Sequence, residues 1–436
     1  MKMTDPPAPV DATPLPPAMA VPKASWYALT ILTLIYSCHF LDRMMIAIIS
    51  EPARKEFNLS DSQLGMLTGL AYGLTFALAG IPLGMLIDRF NRIKLLTVLV
   101  TVWSGMTTLS GFAQSYVHLL LARMGVGASE AGGSPASMSL ISDLFPPAKR
   151  STAVGLFFLS NAIGAVLSIF IGGFIAAQYG WRMAMLIAGV PGLLLGILLI
   201  FTVREPKRGG MEPTLVGTVE KKAAGLMQVL RHLGANKSML NLLAGVAITA
   251  ASVATIGSWL PSFMTRFHGY NIKEAGFAVA IASGFCGAIG SVLGGVISDR
   301  LARFRARRRM DVCIAVCLVS IFTALAGMLA TTGTGAVAML SITQMIAFVV
   351  FPAAFAGMLS ITSPNMRGAT AASLQVVTNL VGYGLGPFMV GVFSDLYGGD
   401  QSLRYAMITV MSVCFPWAAI HFYFAARSWE RNATAV

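Results

Sequence analysis

The chain has 436 residues, of which 56% are hydrophobic and 11% charged, with a formal net charge of +13 and a mean hydropathy of +0.73. A soluble domain carries roughly 25% charged residues, so these charges are too few to cover a surface that faces water. The basic excess sits in a few loops between apolar stretches, a pattern that sets membrane orientation and argues against nucleic acid as a partner.

Residues 1–25 hold seven prolines and no apolar core, as expected of a disordered tail. They contain no apolar run with a cleavage site of the signal-peptide kind. Apolar spans are expected at 26–49, 63–87, 94–115, 116–143, 150–177 and 181–203. A polar stretch at 204–237 follows, then spans at 239–265, 274–297, 310–331, 335–362, 368–394 and 404–426. Each reaches the roughly 20 residues needed to cross a bilayer. The pattern predicts an all-α membrane protein of twelve transmembrane helices. An N-terminal bundle (26–203), a linker (204–237), a C-terminal bundle (238–426) and a tail (427–436) divide it. In the linker, Leu226, Met227, Leu230 and Leu233 recur at helical spacing beside Lys221, Lys222 and Arg231. That spacing fits a short helix on the membrane face and a plain solvated linker alike. With the N-terminus in the cytoplasm, cytoplasmic segments hold 23 Lys/Arg and outer loops 6. The positive-inside rule then places both termini in the cytoplasm.

An internal repeat supports six plus six. The Gly84 to Arg89 segment after span 2 matches Gly295 to Arg300 after span 8, at an offset of 211. Arg150 matches Arg367 at 217, and Asn161-x-x-Gly164 matches Asn379-x-x-Gly382 at 218. Three landmarks in one order mark a duplication, and two halves around a midplane site are a transporter architecture.

Four ionisable residues lie well inside spans: Asp42, Arg43, Arg123 and Glu130. A charge at mid-membrane costs roughly 2.5–3.5 kcal/mol on insertion scales, so they are candidates for substrate and proton handling, with a helix-packing ion-pair network as the rival. With span 1 ending near Ile49 and span 4 starting near Tyr116, Arg43 and Arg123 fall roughly 10 Å below the outer surface. Asp42 shares that level, so a direct pair with Arg123 is expected. Asp42 is the first candidate for proton coupling, because burial favours its neutral form and Arg123 its charged form. Glu130, seven residues on from Arg123 and about 10 Å deeper on the same face, is the alternative carrier. Asp42 and Arg43 point about 100° apart, so they do not serve one partner equally. His39, one turn earlier, fits a proton path or a neutral histidine bonded to a neighbouring helix.

The second half carries no mid-span charge. It offers Gln344, Gln375, Thr378 and Asn379 with Trp259 and Tyr383. Gln344, Asn379, Trp259 and Tyr383, with Arg43, Arg123 and Glu130, form the candidate substrate site, although each second-half group alone also suits helix packing. Such a cavity is charged on one wall, polar and apolar on the other, and fits an amphiphilic anion. The five cysteines lie in apolar runs without metal-ligand company, so neither a disulfide framework nor a metal site is expected. No nucleotide-binding loop, nucleophile elbow or HExxH occurs. Neither an enzyme nor a cofactor is expected.

Gly84-x-x-x-Asp88-Arg89-x-x-Arg92 resembles the signature loop of the major facilitator superfamily, with its echo at Gly295 to Arg300. Arg123-x-x-x-Gly127 and Gly180-Trp181-Arg182 are similar to further motifs of that superfamily. Two departures are Asn91 in place of the loop's usual glycine, and Ser168 to Ile171 where drug/proton antiporters have Gly-Pro before Gly172-Gly173. Asp42-Arg43, Pro82, Arg123…Glu130-Ala131, Ile141 to Phe145 and Gly384-x-Gly386-Pro387…Gly391…Ser394-Asp395 resemble the spinster family over roughly residues 30–400. The resemblance implies the major facilitator fold, a gating role for Gly84, Asp88, Arg89, Arg92, Arg150, Asp299, Arg300 and Arg367, and export of sphingosine-1-phosphate or lysophospholipids, in some members with proton coupling. The expected function is a monomeric, proton-coupled carrier of a lipid-like anion in a bacterial cytoplasmic membrane, its partners being the lipid bilayer, the substrate and protons. An organic-anion or drug exporter is the rival within transport. A lipid scramblase or transporter-like sensor is the rival from another class.

Overall fold

The computed structural model describes residues 21–211, 234, 236–302, 307–362 and 366–433. The candidate linker helix at 226–233 lies outside them, as do residues 1–20 of the expected N-terminal tail. The described residues are helical and contain no strand. Ten stretches are long and apolar enough to cross a membrane. In chain order the helices are α1 (Lys23–Phe57), α2 (Asp61–Arg89), α3 (Arg92–Ser110), α4 (Tyr116–Glu130), α5 (Gly133–Leu144), α6 (Thr152–Thr202), α7 (Lys237–His268), α8 (Ile272–Leu301), α9 (Arg308–Met328), α10 (Gly333–Ser360), α11 (Thr370–Tyr397) and α12 (Ser402–Ser428).

Two of these depart from simple rods. Inside α6 the backbone turns at Gly180, whose φ of 83° and ψ of 161° are open only to glycine, so Trp181 onward is a separate arm. Between α4 and α5 the helix breaks at Ala131 and Gly132. α1 runs eight residues past the expected end of span 1, through Pro52 to Phe57, where Asn58 in the left-handed conformation closes it. The extension stays helical because Ala53 is buried and Glu51 is paired.

The first six elements and the last six form two halves. They meet where α2 packs on α11, the first arm of α6 on α8, and α1 on α7. The helices α2, α11, α6 and α8 each carry a π-helical segment, at Met66–Leu70, Thr378–Leu385, Ile169–Ile175 and Ala280–Cys286 respectively. Their wider turns lie where the halves touch. Glycine allows the closest approach: a Cβ on Gly73 would stand 2.7 Å from the Asn379 carbonyl oxygen and 2.9 Å from Gly384 Cα.

One end of the molecule, here the terminal end, gathers the start of α1 with the end of α6 through Tyr27 and Thr202, and the start of α7 with the end of α12 through Ser238 and Ser428. At the opposite, distal end an ionic clasp joins the halves. Arg266 of α7 donates two bonds to Asp61 of α2, at 2.7 and 2.9 Å, and one of 3.0 Å to Glu51 of α1. Asp395 of α11 accepts from the backbone N–H groups of Asp61 and Ser62, capping the start of α2, and the Ser394 hydroxyl donates to Asp61. Glu51 keeps a second partner in Arg54, at 2.8 Å, but Asp61, 8% exposed, has no other cation among the described residues, so removing Arg266 strands a buried carboxylate, a change that costs about 3–5 kcal/mol. Arg266→Ala is therefore expected to lower the thermal unfolding midpoint of the purified protein, and adding Asp61→Asn to recover part of the loss. A double variant no more stable than Arg266→Ala would show that stranded charge is not the cause.

Candidate functional site

The cavity between the halves is lined by Phe40, Arg43 and Met44 of α1, Thr68 and Tyr72 of α2, and Arg123 of α4. Val253, Ala254, Gly257 and Ser258 of α7, Ser283 of α8, Gln344 and Phe348 of α10 and Tyr383 of α11 complete it. The helix period brings them together. α1 turns Arg43 and, four residues before and after, His39 and Ala47 onto one side. The π-helical turn of α11 presents Asn379 and Tyr383 to Arg43. The Arg43 Nη2 donates to Asn379 Oδ1 at 3.2 Å, and its guanidinium lies 3.9 Å from the Tyr383 ring centre and 5.3 Å from that of Tyr72.

Arg123 is 2% exposed. Its guanidinium stands 5.2 Å from the centre of the Tyr72 ring, and its Nε has no hydrogen-bond partner. Among the described residues neither Arg43 nor Arg123 has a carboxylate within 4.0 Å. Tyr72 shares its ring face between the two cations, and such contacts contribute roughly 0.5–2 kcal/mol each. They do not neutralise charge.

The acids stand behind this wall. Glu130 accepts a 2.7 Å bond from the Tyr72 hydroxyl. His39 Nδ1 lies 3.3 Å from the same carboxylate oxygen, without hydrogen-bond geometry. His39 also lines a vestibule toward the terminal end, with Tyr36, Asn161, Ser283 and Ser291, of about 200 Å³. That space is large enough for several waters. Asp42 points elsewhere: it is 1% exposed, faces Thr107 of α3 and lines neither space. The expected direct pair between Asp42 and Arg123 is not formed, because turning Arg43 to the cavity turns Asp42 into the α3 side of the bundle.

Of the expected second-half residues, Gln344 lines the cavity and donates to the Ser283 hydroxyl at 2.8 Å and the Val253 carbonyl at 3.2 Å. Trp259 does not line it. Its indole is buried within its own half and donates to the Pro387 carbonyl at 2.9 Å, since the α7 face toward the cavity belongs to Gly257 and Ser258. Sequence reasoning missed Tyr72, whose only signal was an aromatic side chain amid the apolar residues of span 2. It also missed the distal clasp, whose acids read as outer-loop charges.

The gating candidates lie at the terminal end. Arg92 is buried within the first half, paired with Asp143 and Glu205 and bonded to Ser139. Arg150 donates to the carbonyls of Ser142 and Phe145. Gly84 has open space around it, and Asp88, Arg89 and Arg300 are exposed. Asp299 lies 3.5 Å from Arg309 of its own half. Among the described residues Asp88 makes no hydrogen bond or ion pair. The Arg367 side chain lies outside what is described.

The model of the Major Facilitator Superfamily matches residues 32–387. The chain belongs to that superfamily. It is a multi-pass membrane transporter, and the expected fold family and resemblance stand. It is 28% identical to a bacterial homologue of the human lysosomal transporter Spinster, crystallised in an inward-facing and unoccupied conformation, with a TM-score of 0.83 over 95% of this chain and 99% of that one. It is 28% identical over 375 residues to the sphingosine-1-phosphate transporter of Danio rerio, covering 82% of this chain and 73% of that protein. A further relative is an MFS-type efflux pump of Mycolicibacterium smegmatis, 27% identical over 416 residues, which are 94% of this chain and 95% of the pump.

Among the described residues the Tyr72 hydroxyl is the one hydrogen-bond donor to Glu130. Tyr72→Phe keeps the ring between the two cations and removes that donor. Leaving a buried acceptor unmet costs about 1–3 kcal/mol, so the variant is expected to unfold at a lower temperature than wild type. Tyr72→Ala should lose more. Equal midpoints for Tyr72→Phe and wild type would show the bond contributes nothing.

Proposed function

We propose that the chain is a proton-linked carrier of an amphiphilic anion that works by alternating access in a bacterial cytoplasmic membrane. The observation that carries this reading is the pair of guanidiniums, the buried Arg123 and the partly buried Arg43, facing one cavity between the halves with no carboxylate within 4.0 Å among the described residues. Two uncompensated cations in a low-dielectric site are costly, and an anion relieves both. Arg geometry suits bidentate contact with phosphate or carboxylate. The apolar walls Phe40, Met44 and Phe348 suit a tail, and the likeness to a sphingosine-1-phosphate transporter agrees with a charged head on an apolar chain.

On this reading the chain crosses the membrane twelve times, α4 with α5 making one crossing and α6 two, with both termini cytoplasmic. The distal end is then the outer side and is closed by the clasp. The likeness to an inward-facing structure supports that view. Closure of the other side would bring Asp88 to the start of α11 and Asp299 to the start of α6, where helix N-termini and Arg150 attract a carboxylate. In a cysteine-free background, Asp88→Cys with Arg367→Cys is expected to cross-link under conditions that open the outer side, and to stay reduced in the conformation described here. Cross-linking that is independent of substrate and pH gradient would refute this gate.

The proton step falls to Glu130, with Asp42 second. Support comes from its route: Glu130 touches Tyr72, which lines the cavity, and His39, which lines the vestibule, whereas Asp42 touches neither space. Glu130→Gln is expected to abolish accumulation driven by a pH gradient in proteoliposomes while leaving exchange intact. Loss of accumulation in Asp42→Asn alone would reverse the assignment. Gradient dependence also separates a carrier from a scramblase or sensor, neither of which would show it.

Arg123→Ala is expected to weaken an anionic lysolipid by about 10–100-fold, the worth of one charge-assisted hydrogen bond, and a neutral analogue with the same tail much less. Equal loss for both would give Arg123 a structural role. The efflux-pump relative favours a second reading, export of a soluble organic anion. Competition by tailless anions as strong as by tailed ones would select it.

A further inference from the structure

A second polar site lies on the lipid-facing surface, away from the cavity. Where the start of α7 packs against the end of α12, Lys237, Asn241, Phe424, Arg427 and Ser428 line a groove of about 290 Å³. It shares no residue with the cavity or vestibule. Lys237 and Arg427 are exposed, and among the described residues neither side chain has a hydrogen-bonding or ionic partner.

The floor of the groove is built. The Ser428 hydroxyl lies 2.7 Å from that of Ser238, Asn241 Nδ2 donates to the Lys237 carbonyl, and Asn241 Oδ1 lies 2.8 Å from His421 Nδ1. These contacts hold the two helices in register and leave the cations on the rim. Below the rim an apolar stripe runs toward the middle of the bilayer. On α12 it comprises Phe424, Ile420, Trp417 and Val413, 48–54% exposed, and on α7 Leu240, 45% exposed. Spacings of three and four residues put the α12 members on one face. At 1.5 Å per residue, Ile420 lies roughly 10 Å from Arg427 and Val413 roughly 20 Å, the reach of an acyl chain.

A soluble anion would use the cations and ignore the stripe. A neutral lipid would use the stripe and ignore the cations. We propose that this groove is a binding site for one anionic phospholipid of the surrounding bilayer, its phosphate between Lys237 and Arg427 and one acyl chain along Phe424, Ile420 and Val413. Basic pockets between helices at the membrane surface recognise such headgroups. The two cations come from the first turn of the second half and the last turn of its last crossing, so the lipid ties the ends of that half together.

The test uses the full chain in detergent and does not involve transport. Thermal unfolding is measured with added phosphatidylglycerol or phosphatidylcholine, and bound lipids are counted by native mass spectrometry. Wild type is expected to gain several degrees more from phosphatidylglycerol and to retain at least one such lipid. The Lys237→Gln, Arg427→Gln double variant is expected to lose most of that difference and the retained lipid. Lys237→Arg should keep both. A control that removes the same charge elsewhere at the terminal end, Lys94→Gln with Lys149→Gln, should behave as wild type. Equal loss in the control would overturn the proposal in favour of general surface charge. No phosphatidylglycerol preference in wild type, or an undiminished preference in the double variant, would also overturn it. If the double variant is too unstable to purify, the retained lipid on Lys237→Arg and on Phe424→Ser decides. Wild-type retention in Phe424→Ser would remove the acyl-chain seat.

Discussion

Lipid cannot hydrogen-bond a backbone, so each crossing segment satisfies its own N–H and C=O groups as a helix, and everything that joins one crossing to another is left to side chains and close packing. The rest of the architecture follows from that constraint. The halves are held by glycine contacts, as at Gly73 against Asn379 and Gly384, by the clasp of Arg266 with Glu51 and Asp61, and by Arg43 on Asn379 and Tyr383. The four π-helical segments fall on α2, α11, α6 and α8, the helices that pair across the halves as α2 with α11 and α6 with α8. A π turn leaves its backbone less tightly bonded than an α turn and is common at functional sites. Here it lies in the helices that must slide if the cavity is to change sides.

Much of this was legible in the sequence. The apolar runs gave the helices because a crossing needs about 20 apolar residues and little else in the chain competes with that signal. Arg43 and Arg123 were placed at one level by counting residues along two helices, and both line the cavity. Counting fails on rotation. Adjacent residues on a helix differ by 100°, so either Asp42 or Arg43 can face the cavity, and the choice depends on how α1 packs against α3 and α7. The same ambiguity separates Trp259 from Ser258. The π-helical turns escape too, since one extra residue per turn leaves no mark in hydrophobic periodicity. The clasp escapes because Glu51, Asp61 and Arg266 are ordinary end-of-span charges until two distant segments meet.

The placement of charge differs between the two ends. At the distal end Arg266 answers two buried carboxylates across the halves, and Asp395 answers two backbone donors. At the terminal end the comparable charges are spent inside a half: Arg92 on Asp143 and Glu205, Asp299 on Arg309. Among the described residues inter-half ion pairs therefore concentrate at the distal end.

The cavity lies between those two sides, and its own chemistry ties it to both. Arg43 belongs to the first half, yet its bond and its aromatic contact are with Asn379 and Tyr383 of the second, in the π-helical turn of α11 that also packs on Gly69 and Gly73 of α2. On the proposed reading, an anion that takes Arg43 Nη2 competes with Asn379 for it, and binding then loosens α11 from α1. Arg123 adds the second part. Its Nε has no hydrogen bond to give up, and Tyr72, whose ring lies between the two cations, is bonded to Glu130 through its hydroxyl. A ligand can shift a conformational equilibrium only by its differential affinity for the two states. On the proposed reading that difference is concentrated in Arg43, the one cavity cation whose present partners belong to the opposite half.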